Sequence, residues 1–311
     1  MITRRNLLKV GLAGAVSVAL GTAARSVVAG VGDRSVVTKA IPSSGERLPV
    51  VGIGTARRFD VAAGTPAYDE LRAVLRELPT LGGRLIDTAP SYGRAESVVG
   101  ELIAELGLRD QVFLATKVGA ARNGLKQALE EMERSFVQLR TERIDLLQVH
   151  NLSGVDEILP VLREWKADGR IRYLGVSTSF ERQYDDFVRV MEREDLDFIQ
   201  VDYALDNRNA ETRILPLAAE RGMAVLTNLP FGRGRVLDAF GARALPDWAR
   251  AAGIDSWAQF ALKWVASHPA VTCAIPGTAT LKYLRDNLGA AHGTMPDPDM
   301  RARMASLIEA G

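Results

Sequence analysis

The stretch Arg84-Leu85-Ile86-Asp87-Thr88-Ala89-Pro90-Ser91-Tyr92-Gly93 decides how the rest of the chain is read. Leu85 and Ile86 form a short apolar run suited to burial in a sheet, and the run stops abruptly at a carboxylate. A loop of small residues and proline follows and delivers a tyrosine and a glycine. Taken alone, Asp87 reads equally well as the cap of the next helix. What separates the two readings is whether other strands end in the same way.

Outward from this segment, strand-like apolar runs fall at 50–54, 84–87, 112–116, 144–149, 171–176, 198–202, 223–228 and 271–275. Amphipathic segments at 68–81, 96–106, 125–139, 155–167, 181–193, 210–221, 256–267 and 280–288 alternate with them or follow the last. Strands joined through helical crossovers run parallel. Eight such repeats in this length predict a (β/α)8 TIM barrel. Gly52-Ile53-Gly54 is only a fragment of the Gly-x-Gly-x-x-Gly pattern, which argues against an open dinucleotide-binding sheet. Ahead of the barrel, segments 35–41 and 48–54 flank Pro42-Ser43-Ser44-Gly45 and predict a short N-terminal β-hairpin. No linker-like stretch follows residue 35, so 36–311 is expected to be one barrel domain.

The first 29 residues differ in kind. Thr3-Arg4-Arg5-Asn6-Leu7-Leu8-Lys9 precedes a weakly apolar, glycine- and alanine-rich run and then a small-residue exit at Ala24 or Ala29. This order is that of a signal peptide, and the paired arginines mark the twin-arginine type. The expectation is an exported, periplasmic protein whose only membrane contact is through this signal. Removing 1–29 takes away Arg4, Arg5, Lys9 and Arg25, so the net charge falls from +1 by four, to −3. Neither value suits a nucleic-acid partner. One cysteine, Cys273, excludes a disulfide framework, and three scattered histidines (His150, His268, His292) lack the spacing of a metal site.

In such a barrel the chemistry gathers where the strands end at their carboxyl side. The second strand ends at Asp87, with Tyr92 just beyond; the third ends at Lys117 and the fourth at His150. Individually, Lys117 reads as a solvated strand-end lysine, Tyr92 as a rim aromatic and His150 as a strand-end histidine. Adjacent strands lie only about 4.8 Å apart, however, so three consecutive termini converge on one volume. The set suits proton delivery. Free tyrosine titrates near pH 10, and a neighbouring ammonium oriented by a carboxylate lowers that value. The histidine can orient a substrate oxygen while the phenol protonates it.

These motifs resemble the aldo/keto reductase family. Asp87-Thr88-Ala89-Pro90-Ser91-Tyr92-Gly93, Ala115-Thr116-Lys117 and Leu147-Gln148-Val149-His150 match the family's tetrad segments in order and spacing, and the likeness runs from about residue 36 to residue 291. The resemblance implies a (β/α)8 barrel that reduces a small-molecule aldehyde or ketone with NADP, or with NAD. It implies Tyr92 as general acid, Lys117 and Asp87 as its tuning pair, and His150 as the substrate-orienting group. For the cofactor it implies Gly54 and Thr55 at the first strand end, and Ser177, Thr178 and Gln200 on the nicotinamide carboxamide. Threonine stands at 178 where the family has asparagine. Tyr203 would stack on the nicotinamide ring, and Phe231, Gly232 and Arg233 would pass over the pyrophosphate. Gly277, Thr278, Lys282 and Asn287 would form the adenosine end, with Lys282 or Arg285 replacing cations absent at Gly277 and Tyr283.

Two further readings stay beside the reductase. One is a nucleotide-binding sensor or partner subunit with little turnover, since an exported protein needs a redox partner to re-reduce a retained cofactor. The other, an unrelated hydrolase using Asp87 and His150, lacks a second carboxylate or a metal set at the strand ends. The physiological substrate is not legible at this level.

Overall fold

The computed structural model describes residues 35–119 and 124–309. A two-stranded antiparallel hairpin comes first, β1 (Thr38–Ala40) with β2 (Arg47–Pro49), in the register Thr38 to Pro49. Eight parallel strands follow in the order of the chain: β3 (Ile53–Gly54), β4 (Leu85–Asp87), β5 (Phe113–Val118), β6 (Ile144–Val149), β7 (Ile171–Ser177), β8 (Phe198–Asp202), β9 (Ala224–Asn228) and β10 (Cys273–Ala274). Bridges from Val51 to Ala274 and from Gly54 to Gly277 join the first of these to the last. The sheet is therefore a closed barrel, as the strand count predicts.

Helices α1 (Pro66–Thr80), α2 (Ala95–Leu106), α3 (Leu125–Gln138), α4 (Val155–Ala167), α5 (Tyr184–Arg193) and α6 (Ile214–Glu220) fill the crossovers up to β9. Between β9 and β10 lie α7 (Arg235–Phe240), α8 (Asp247–Ala251) and α9 (Trp257–Ser267). After β10 come α10 (Leu281–Gly289) and α11 (Pro298–Glu309). Eight of these correspond to amphipathic segments in the sequence. The other three, α7, α8 and α11, do not. The first two are only six and five residues long, too short to show a helical period. The proposed signal, 1–29, lies outside the described residues.

Side chains alternate across each strand, and here that alternation separates two cores. Leu85, Phe113, Ala115, Leu146, Tyr173, Phe198, Ala224 and Leu226 point into the barrel. Ile86, Leu114, Leu147, Leu174, Ile199 and Val225 point outward against the helices. Inside, the rings of Phe113, Tyr173 and Phe198 lie 5.4–5.9 Å apart in pairs and fill the interior. The hairpin adds Ile41 and Leu48 to the same inner core, so it plugs the amino-terminal end. Continuing the inward parity toward the other end reaches Asp87, Lys117, Gln148, Ser177, Gln200 and Asn228. One side of the periodic pattern thus turns from apolar to polar as it approaches the barrel mouth.

Candidate active site

The β4, β5 and β6 registers bring the three predicted termini side by side: Asp87 pairs with Ala115, and Lys117 with Gln148. Asp87 and Lys117 are almost completely buried. The Lys117 ammonium donates to both Asp87 carboxylate oxygens, at 2.8 and 2.7 Å, and to the Thr88 carbonyl at 2.9 Å. Burial alone would drive this lysine toward its neutral form. The Asp87 charge and hydrogen bonds outweigh it and hold the Lys117 pKa above that of an ordinary lysine.

Tyr92 stands over this pair, its ring centroid 5.2 Å from the Lys117 ammonium. His150 meets it edge-on, with centroids 6.0 Å apart and the planes at 85°. Tyr92 closes a short 3-10 turn, Pro90–Tyr92, and Gly93 follows at φ 66°. A Cβ there would lie 2.4 Å from the Asp60 carboxyl carbon, so glycine is needed for both conformation and space. Burial pushes the Tyr92 pKa above that of free tyrosine, with Lys117 the largest opposing influence. The expectation that Lys117 sets the direction is therefore corrected: the cation moderates a rise caused by desolvation. The phenol stays protonated, which is the state a proton donor needs.

A cavity of about 920 Å³ opens above the tetrad. It is lined by all four tetrad residues and, among the residues assigned to a cofactor, by Gly54, Ser177, Gln200, Phe231, Arg233 and Gly277. The Ser177 hydroxyl donates to the Val149 carbonyl and accepts from the Asn151 N–H, both at 3.3 Å, which fixes it beside the β6 end. Gln200 accepts from the Gln148 amide at 3.0 Å. Arg57 and Arg58 also line the cavity, on the loop after β3, and buried Phe59 anchors that loop. None of Arg57, Arg58 and Arg233 has a carboxylate within ion-pair distance among the described residues.

Several sequence-derived assignments are not brought to this cavity. Tyr203 has outward parity with Ile199 and Val201. It is fully buried, stacks on Trp264 with centroids 5.1 Å apart, and hydrogen-bonds Glu211 and Arg301. It is a packing residue between β8 and the helical layer and does not present its ring to the mouth. Thr178 also faces outward: its hydroxyl donates to Gln183 at 2.7 Å and accepts from the Phe180 N–H at 3.2 Å. Thr55 is buried and does not line the cavity. Gly232 lies at a neighbouring cavity of about 300 Å³, packed against the Asp206 carboxylate.

The adenosine-end residues are likewise occupied within the protein. The Asn287 amide donates to the Thr278 hydroxyl at 2.9 Å, and that hydroxyl donates to the Pro276 carbonyl at 3.1 Å. Lys282 is exposed over the Tyr283 ring, 5.9 Å from its centroid, and Arg285 pairs with Glu77 at 3.4 Å. The first N–H of α10, on Leu281, donates to Glu70 at 2.7 Å. A carboxylate of the protein itself thus occupies the N-terminus of this helix, the end that favours an anion.

Two residues were missed. Asn228 lines the cavity from the end of β9, and the inward parity of Ala224 and Leu226 identifies it. Glu96, four residues after Tyr92, is 1% exposed and accepts from the Thr116 hydroxyl at 2.6 Å, directly behind Lys117. Burial, with Glu131 adding to it, raises the Glu96 carboxyl to a pKa of about 7 against the hydrogen bonds of Thr116 and Ser135. Its position in the first turn of an amphipathic helix gave no hint of burial.

A parallel barrel with a buried carboxylate–ammonium pair, a phenol and an imidazole at its carboxyl-side mouth defines a TIM-barrel enzyme scaffold equipped for acid catalysis. Comparison with known proteins narrows the class. The model of the aldo/keto reductase family matches residues 50–308. The chain is 33% identical over 263 residues to methylglyoxal reductase YeaE of Escherichia coli (strain K12), covering 80% of this chain and 88% of that one. It is 36% identical over 200 residues to aldo-keto reductase YhdN of Bacillus subtilis (strain 168), 60% of this chain and 59% of that protein. Among solved structures, an aldo/keto reductase from Klebsiella pneumoniae in complex with NADP and acetate superposes with a TM-score of 0.72 at 29% identity, over 85% of this chain and 92% of that one. The chain belongs to the aldo/keto reductase family.

Proposed function

We propose that the protein is an NADPH-dependent carbonyl reductase acting on a small aldehyde or ketone. The observation that carries this reading is the buried Lys117–Asp87 pair beneath a protonated Tyr92, with His150 edge-on beside it at one cavity. Ser177, Gln200 and Arg233 suit a dinucleotide: polar side chains face the tetrad end, and a cation without an ion-pair partner stands on the rim. When bound, the cofactor supplies a hydride to the carbonyl carbon. Tyr92 holds the proton that the carbonyl oxygen takes up, and His150 directs that oxygen toward the phenol. Lys117, kept charged by Asp87, stabilises the phenolate left behind, which the protein must reprotonate before the next turnover.

The test is NADPH oxidation by the purified protein with a panel of aldehydes that includes methylglyoxal, the compound named for the Escherichia coli relative. Tyr92→Phe should lower kcat by roughly 10² to 10⁴ while leaving NADPH affinity nearly unchanged. Retained turnover in that variant overturns Tyr92 as the acid. A wild-type preference for NADH overturns the NADP assignment.

Residues 1–29 are part of the same proposal, as a twin-arginine signal that carries the folded, loaded protein to the periplasm and is cleaved near Ala24 or Ala29. Arg4-Arg5 ahead of the apolar run supports it. In that compartment the retained cofactor requires a redox partner for re-reduction. Cell fractionation of wild type and an Arg4→Lys, Arg5→Lys variant decides the matter, and cytoplasmic retention of the wild type overturns it.

A further inference from the structure

One residue on the cavity wall carries a buried polar side-chain atom that the protein does not satisfy. Among the described residues, the buried side-chain atoms without a hydrogen-bond partner belong to Thr55, Thr88, Gln148, Thr227 and Asn228. Of these five residues only Asn228 lines the cavity. Its orientation is determined: the amide nitrogen donates to the Thr178 carbonyl at 3.1 Å, an atom that can only accept. The amide oxygen, Oδ1, is left as a buried acceptor with no donor. A buried acceptor of this kind is expensive unless a ligand brings an N–H or O–H to it.

Position adds chemical identity to that demand. Asn228 shares inward parity with Ala224 and Leu226 on β9, beside β8, which carries Gln200; Ser177 follows on β7. Ser177, Gln200 and Asn228 thus form a polar arc on three consecutive strands, facing the Tyr92–Lys117 end of the same cavity. Thr178, the residue expected to supply an amide to the cofactor, has turned its hydroxyl outward to Gln183 and Phe180. Its carbonyl instead holds the Asn228 side chain in place.

We propose that Asn228 Oδ1 accepts from the carboxamide NH₂ of the nicotinamide ring, so that this chain reads the cofactor's amide from β9 in place of residue 178. The proposal rests on the nicotinamide-cofactor reading above. It makes Asn228 a specificity-determining residue for the reactive end of the cofactor and Thr178 its support through the backbone.

The test uses NADPH and the analogue in which the carboxamide NH₂ is replaced by a methyl group, 3-acetylpyridine adenine dinucleotide phosphate in its reduced form. Dissociation constants are measured by fluorescence titration of the intact protein, without turnover. Wild type should bind NADPH about tenfold or more tighter than the analogue, the worth of one such hydrogen bond. Asn228→Ala and Asn228→Leu should weaken NADPH by a similar factor and leave the analogue within about twofold, so that discrimination disappears. Thr178→Ala, which keeps the carbonyl that positions Asn228, should discriminate as wild type does. Unchanged discrimination in the folded Asn228 variants, checked by circular dichroism, overturns the assignment. Failure of the wild type to bind either dinucleotide instead overturns the cofactor reading on which it rests.

Discussion

Replacing Glu96 by glutamine should make the protein more stable at alkaline pH and leave it nearly unchanged at acid pH. The carboxyl sits behind β5, 1% exposed, with the Thr116 hydroxyl 2.6 Å away. Burial is the main cause that lifts its pKa from 4.5 to about 7. The folded protein therefore holds this proton more tightly than the unfolded chain does. Stability from the group is complete below about pH 4.5, falls as pH rises toward 7 and is absent above it. At 1.36 kcal/mol for each tenfold change in proton affinity, the loss across that window is about 3 kcal/mol. Glutamine keeps an oxygen for Thr116 and never ionises, so it escapes the loss. Urea unfolding of both proteins from pH 5 to 8.5 gives the comparison, because titration of all other groups is common to the pair. The difference should grow from about 1 kcal/mol at pH 5 to about 3 kcal/mol at pH 8. Parallel stability profiles over this range would refute the idea that Glu96 is held protonated by burial.

Two other substitutions separate packing from chemistry. Asp87→Asn leaves the Lys117 ammonium buried without its counter-charge, so it should cost about 3–5 kcal/mol in denaturant unfolding as well as turnover; a change below about 1 kcal/mol would show the pair to be dispensable for the fold. Tyr203→Phe removes the hydroxyl shared with Glu211 and Arg301, lowering stability by about 1–3 kcal/mol with no change in NADPH affinity. A weakened cofactor with unaltered stability would return Tyr203 to the nicotinamide.

The parts of this molecule legible in the sequence are those fixed by alternation within a single strand. Leu85 inward and Ile86 outward place Asp87 inside, and the same step from Ala115 places Lys117 inside. At two positions the alternation and the resemblance point to different faces of the strand. Tyr203 and Thr178 both continue outward-facing series, Ile199–Val201 and Leu174–Val176, and neither can turn its side chain into the barrel without breaking the pleat. Asn228 continues the inward series of Ala224 and Leu226, so the same alternation sets it on the cavity wall. Other features had no local signal at all. The partners that bury Tyr203, Trp264 and Arg301, lie far along the chain, and the closure of α10 by Glu70 joins positions 211 residues apart.

The joint that completes the barrel has a mechanical meaning. The two strands that meet there, β3 and β10, have only two residues each, and Gly54 approaches the Ile275 carbonyl so closely that a Cβ would lie 2.9 Å from it. A ring is as stiff as its weakest splice, and this splice rests on a few amides between short segments. Asp87 is the register partner of Gly54 at its edge, while Lys117 and His150 belong to β5 and the end of β6, whose ladders run to six residues. The wall thus divides into an arc of long ladders, which carries Lys117 and leads to His150, and an arc of short strands joined by few hydrogen bonds.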